Sequence, residues 1–391
     1  MKLRLGTSLR RDPGDVEVSP LELFFDLVFV FAIMQLSLYL LEHLTWTGIA
    51  QTGVLYIAVF TVWSYTTWAG TLTDPARGPV RAMLLGAMLL GLFMNVSIAS
   101  AFDTSGWLFV TTYLVMQIGR TLWLLSAGLD TVMHQHFQRT LVWLVASGPL
   151  WTVGAVVESG PRLILWSIAT VVDLIGMLAA HPLAGKRVRT EKTAFPVAHQ
   201  FERARLFFII ALGETVMTTG SAITHAPLGP MTLFVGAVAL TGTITLWWVY
   251  FGRSEGAARA RVNFDQDPVK TTRYANYSLM AMVAGLLAIA VGDELVIAHP
   301  AGEAEPSTNA LLYGGPFLFF AAQSWYMRVA MNELPRSRPM AMMALVVLTA
   351  ATWQAPPYLA AVAAMVVILA VAVADARRSS EETDKSHSSV S

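Results

Sequence analysis

The chain has 391 residues, 55% of them hydrophobic and 13% charged, with zero formal net charge and no cysteine. A soluble domain carries about 25% charged residues, so this surface is built mainly for lipid; nucleic acid is not expected as a partner. The lack of thiols excludes disulfides, thiolate metal centres, iron–sulfur clusters and cysteine nucleophiles.

Residues 1–19 are polar and basic, with no short apolar region and small-residue cleavage site behind them. They read as a cytoplasmic N-terminal segment rather than a cleaved signal. Apolar runs then follow one another at 21–41, 48–70, 80–101, 106–127, 138–157, 162–181, 203–223, 229–252, 274–298, 309–331, 338–354 and 357–375. Each has roughly the length a helix needs to cross a bilayer. An unpaired backbone amide in hydrocarbon costs several kcal/mol, so each run must be a helix. The fold class is therefore all-α, a polytopic transmembrane helical bundle of about 12 spans. The last two runs are parted by Pro356-Pro357, which a helix does not pass easily. Residues 376–391 are rich in Ser, Glu and Lys and read as a disordered cytoplasmic tail.

The spans fall into two halves, 20–181 and 203–375, joined by a basic cytoplasmic linker at 182–202. Leu23-Phe24-Phe25 matches Leu206-Phe207-Phe208, and Trp63-Ser64-Tyr65 echoes Trp247-Trp248-Val249-Tyr250. Gln117 and Arg120 echo Gln323 and Arg328. Six spans per half predict two parallel six-helix repeats about an axis along the membrane normal, with a site where the repeats meet. Alternating the loops between sides puts all 26 basic residues except Arg162 on one face. Lys and Arg collect on the cytoplasmic side, so both termini are expected there. Glu42, Asp103, Glu158, Asp293, Glu294, Glu303 and Glu305 fall on the other side.

An ionisable group within a span is costly and marks a candidate site. Glu22 and Asp26 are four residues apart and share one helix face, with Asp26 roughly 7 Å into its span. Either a resident arginine neutralises them, with Arg120 at similar depth the candidate, or a transported cation or proton does. Glu214 lies near the midplane beside Gly213, and Asp173 lies at similar depth; each is a transport or ion-binding candidate or an interhelical hydrogen-bonder. In His199-Gln200-Phe201-Glu202-Arg203-Ala204-Arg205 the charges read as a snorkelled basic interface, with Arg203 a second charge partner. Gln35, Asn95, Gln117 and Gln323 are candidate polar lining or interhelical hydrogen-bonders. Ser147-Gly148-Pro149 and Gly314-Gly315-Pro316 either kink their helices or expose carbonyls to a ligand. Trp46, Trp63, Trp68, Trp107, Trp247 and Trp248 read as interface belt and packing. His134 and His136, in a predicted loop, make a poor metal site. Lys2, Lys186, Lys192, Lys270 and Lys385 all lie outside the spans, so no Schiff-base lysine is available there. No metal, cofactor or catalytic constellation is expected.

Pro20-Leu21-Glu22-Leu23-Phe24-Phe25-Asp26-Leu27-Val28-Phe29 resembles the start of the bacterial low temperature requirement A (LtrA) family. His199-Gln200-Phe201-Glu202-Arg203, running into Phe207 through Gly213-Glu214, resembles its second signature, and Trp247-Trp248-Val249-Tyr250-Phe251 is similar as well. The likeness covers roughly 18–375 and implies a polytopic protein of the bacterial inner membrane, linked by name to growth in the cold; it implies no biochemical activity. A shorter string, Phe24-Phe25-Asp26, is similar to the Phe-Ser-Asp motif of two-repeat endosomal potassium channels, which also have six helices per repeat.

The first functional expectation is a secondary transporter or channel in which Asp26, Glu214 and Asp173 meet a cation or proton. One alternative is an intramembrane enzyme or lipid-handling protein using the same carboxylates as acid and base. Another is a structural or sensory membrane protein in which the charges are glue. The bilayer is the one partner the sequence names; it gives neither a substrate nor an oligomeric state.

Overall fold

Ser19 starts the first helix. Its hydroxyl oxygen accepts from the Glu22 amide at 3.3 Å, and the Glu22 Oε2 accepts from the Ser19 N–H at 2.9 Å. This reciprocal cap, with Pro20 at the first helical position, fixes where the chain enters its first span. The computed structural model describes residues 9, 11, 16–128, 131–183, 196–261, 268–303, 305–330 and 332–388. The helices are α1 (Pro20–Glu42), α2 (Trp46–Leu72), α3 (Gly78–Val96), α4 (Gly106–Ser126), α5 (Thr131–Val156) and α6 (Ser159–Leu178). They continue as α7 (Val197–His225), α8 (Pro230–Arg261), α9 (Pro268–Ala298), α10 (Pro306–Ala330), α11 (Ser337–Ala351) and α12 (Pro357–Ser388). The molecule is an all-α, polytopic helical membrane protein.

Nine helices among the described residues are long and apolar enough to cross a bilayer: α1 to α4, α6 to α9 and α12. Twelve spans were expected from the sequence. Of the other three helices, α5 opens on the polar run His134-Gln135-His136 and α10 mixes polar side chains through its length. Helix α11 has only 15 residues, or roughly 22 Å at 1.5 Å per residue, against a hydrocarbon core of about 30 Å.

Two boundaries differ from expectation for local reasons. Pro196 stands just before α7, and the helix begins at Val197, so the last part of the predicted linker 182–202 is helical. Residues 184–195 of that linker lie outside the described residues. At the other end α12 runs on to Ser388, through most of the predicted tail 376–391, because good helix formers such as Arg377, Arg378 and Glu381 extend the apolar helix.

The chain divides into two compact units. The first comprises Met1–Phe207 with Phe264–Asn276, and the second Phe208–Asn263 with Tyr277–Ser391. The division falls within α7. In the first unit α1 packs on α2 and α3, α4 on α2, α3 and α5, and α6 on α2 and α5. In the second, α12 packs on α8, α10 and α11, and α10 on α11. Within this second unit α9 and α10 approach closely: a Cβ added at Gly315 would lie 2.9 Å from the Gly285 carbonyl oxygen. Small residues let spanning backbones come together in this way.

Candidate functional site

Two helices of the first unit carry matching pairs of acidic and basic side chains at a four-residue spacing. Glu22 and Asp26 share a face of α1, and His199 and Arg203 share a face of α7. The two faces meet. Arg203 Nη2 donates to Asp26 Oδ1 at 2.8 Å and its Nη1 reaches Glu22 Oε1 at 3.5 Å. His199 Nε2 is 3.3 Å from the same Glu22 oxygen, and Arg11 Nη2 donates to it at 2.9 Å. Trp63 of α2 donates its indole N–H to Asp26 Oδ1 at 2.8 Å. Thr71 of α2 donates to the Gln200 side chain at 2.6 Å. Glycine at position 70 makes room: a Cβ there would stand 3.0 Å from Arg203 Nη1 and 3.4 Å from Glu22 Oε1. Glu22, Asp26 and Arg203 are fully buried.

Sequence reasoning placed Arg120 against these carboxylates and Arg203 at a snorkelled interface. The structure gives the first role to Arg203 and buries Arg120 elsewhere. Arg120 Nη1 donates to Thr66 Oγ1 at 2.9 Å, its Nη2 to the Gln117 side chain, and its guanidinium lies 5.3 Å from the Tyr65 ring centre. The early start of α7 carries Arg203 inward with His199, leaving Arg205 at the rim beside Glu202 at 2.6 Å. Trp63, read as belt or packing, is wholly buried as a donor to Asp26, whereas Trp46 and Trp107 are exposed.

The remaining candidates do not join this cluster. Asp173 Oδ2 accepts from the Tyr113 hydroxyl at 2.7 Å and the Trp151 indole at 2.9 Å, so two neutral donors hold it. Asn95 donates to the Val28 carbonyl at 2.7 Å, tying α3 to α1. Gln35 is half-buried. His136 lies within α5, its ring 5.6 Å from that of His181, and among the described residues no cluster of His, Asp or Glu could hold a metal. Burial, then His136 and Arg273, push the His181 imidazole well below its ordinary pKa, while the Tyr65 hydroxyl contacts its Nε2 at 2.7 Å.

In the second unit Gln323 accepts from Arg338 Nε at 3.1 Å, and Arg338 also binds Asp375. Glu214 is treated differently. Buried midway along α7, it accepts from the Thr218 hydroxyl at 2.9 Å, and its charged neighbour is another carboxylate, Glu294 of α9. Sequence reasoning missed Asp293, the adjoining residue, by grouping it with the acids of the outer face. It is buried inside α9. The available signal was its position inside the predicted span 274–298, after the apolar run Leu286 to Val291.

Residues 17–373 match the family described as bacterial low temperature requirement A protein, LtrA. The chain belongs to the LtrA family. A relative from Rhizobium meliloti strain 1021, named uncharacterized protein RA0937, is 35% identical over 336 residues, covering 84% of this chain and 82% of its own. No solved structure matches. The family match spans Glu22, Asp26, Arg203, Glu214 and Asp293 alike.

Proposed function

We propose that this LtrA protein is a secondary transporter or channel that moves a cation or proton, with Glu214 as the carboxylate that meets it. One observation carries the reading: Glu214 is buried in a spanning helix, its one hydrogen-bond donor among the described residues is the Thr218 hydroxyl, and the charge acting on it is that of a second carboxylate, Glu294. A carboxylate so placed is a functional candidate by default, and an arriving positive charge would relieve the repulsion. Asp173 is a further candidate. Glu22 and Asp26 leave the transport set, because Arg203 already occupies the position a cation would take; for them the structural reading is favoured.

The reading places the protein in the bacterial inner membrane with both termini cytoplasmic, supported by the one-sided distribution of basic residues. Two parallel six-helix repeats are part of it. Their support is a recurring neighbour pattern, in which α4–α5, α5–α6 and α2–α6 correspond to α10–α11, α11–α12 and α8–α12.

The test is flux in proteoliposomes against a panel of monovalent cations and protons, wild type beside Glu214→Gln. Loss of flux with unchanged folding is expected. Equal flux in the variant would remove Glu214 from the mechanism.

A further inference from the structure

Most of the deeply buried carboxylates described above have a donor. Arg203 serves Glu22 and Asp26, Tyr113 and Trp151 serve Asp173, Thr218 serves Glu214, and Arg338 serves Asp375. Asp293 breaks the pattern. It is 7% exposed, and among the described residues it accepts no hydrogen bond and meets no cation.

Asp293 lines a cavity of about 20 Å³. The walls come from Gly242 of α8, Ile289 of α9, Leu312 and Pro316 of α10, and Ala361 and Ala364 of α12. Small side chains leave the space open. No titratable or charged side chain from α8, α10 or α12 lines it. Tyr313, next to Leu312, turns its hydroxyl to Thr352 at 2.8 Å. On α9 itself, Glu294 has Glu214 and His225 as its charged neighbours.

Pro316 supplies the second polar group. It has no N–H, so α10 cannot complete the bond to the carbonyl four residues back, that of Leu312. Leu312 lines the same cavity. One water needs about 10–15 Å³ and at least two polar partners. The space fits one water, and the polar groups that its lining residues can offer are the Asp293 carboxyl and the Leu312 carbonyl. The chemistry also selects the charge. A bare alkali ion must exchange its hydration shell for several oxygens, and the remaining walls are hydrocarbon. A proton needs one base. A lone ionised carboxylate in such surroundings is costly and becomes neutral by taking up a proton.

From this geometry we infer that Asp293 and the cavity beside it form a proton-binding site, in which a single water links the carboxyl to the Leu312 carbonyl released by Pro316. The site lies wholly within the second unit and requires no transport activity, so it goes beyond the reading based on Glu214.

Infrared difference spectroscopy on the full chain in liposomes, stepped through pH, tests it. Wild type is expected to show the C=O band of a protonated carboxyl that Asp293→Asn abolishes. Pro316→Ala returns an N–H to the Leu312 carbonyl and removes an acceptor from the water; the band is then expected to persist at a shifted frequency. The second variant retains the carboxyl and serves as the test if Asp293→Asn does not fold. A band unchanged in Asp293→Asn, or unmoved in Pro316→Ala, would overturn the site. So would a band that sodium or potassium removes at fixed pH, which would mean a metal cation competes for the carboxylate. Proton flux recorded in the same liposomes separates the two proposals. Loss of the band in Asp293→Asn with flux intact supports the site and takes it out of any transport route.

Discussion

Glu22 and Asp26 of the first unit, and Glu214 and Asp293 of the second, are carboxylates held inside spanning helices, yet their surroundings differ. The first pair is closed by a resident guanidinium at 2.8 Å from Asp26, with His199, Arg11 and Trp63 filling the remaining positions. The second pair has a hydroxyl at Glu214 and a small cavity at Asp293. The second unit does not lack arginines, for Arg338 at the start of α11 binds Asp375, midway along α12. The contrast is one of position. A salt-bridged carboxylate fastens helices together, whereas one served only by neutral groups is free to change its protonation or ligation.

The largest effect that would sharpen this contrast is expected at Arg203. Arg203→Gln leaves the buried Asp26 carboxylate without its cation, while Glu22 keeps Arg11, and should cost about 3–5 kcal/mol. Glu214→Gln should cost less than about 1 kcal/mol, since a neutral amide still accepts from Thr218. Unfolding in a denaturing detergent reads both. Equal losses would erase the distinction between the units, and Asp26→Asn should restore part of the stability lost in the Arg203 variant. An intermediate effect is expected at Gly70→Ala, where the new methyl crowds the Arg203 guanidinium at 3.0 Å and should cost about 1–3 kcal/mol. A neutral outcome there would mean that the cluster yields more readily than close packing allows. The smallest effect is at Asn95→Leu. Interhelical hydrogen bonds in membranes average about 0.6 kcal/mol, so a loss comparable to that of Arg203→Gln would show that Asn95 does more than tie α3 to Val28.

Much of the fold was legible because lipid imposes one rule on every segment: length and apolarity announce a span, and backbone chemistry makes it a helix. Position α1 was legible to within a residue through Ser19, Pro20 and Glu22. The candidate site was half legible. The four-residue spacing placed Glu22 and Asp26 on one face, and the matching spacing of His199 and Arg203 was present in the chain. The pairing between them was not, because depth along a helix says nothing about which helix lies beside it, and Arg120 had a comparable depth. The start of α7 mattered too. With His199 assigned to a linker, its common face with Arg203 disappeared. Asp293 escaped for another reason, since its setting comes from four helices and from a proline 23 positions away in the chain.

The cluster at Arg203 also bears on how the chain is made. Asp26 and Arg203 are separated by 177 residues, so at about 5–20 residues per second roughly 9–35 s pass on the ribosome before the guanidinium exists. Glu22 waits less, since Arg11 has already been synthesised when it emerges. The deeper acid enters the insertion machinery without its counter-ion, and the nascent first helix cannot settle into its final place until the seventh has been delivered.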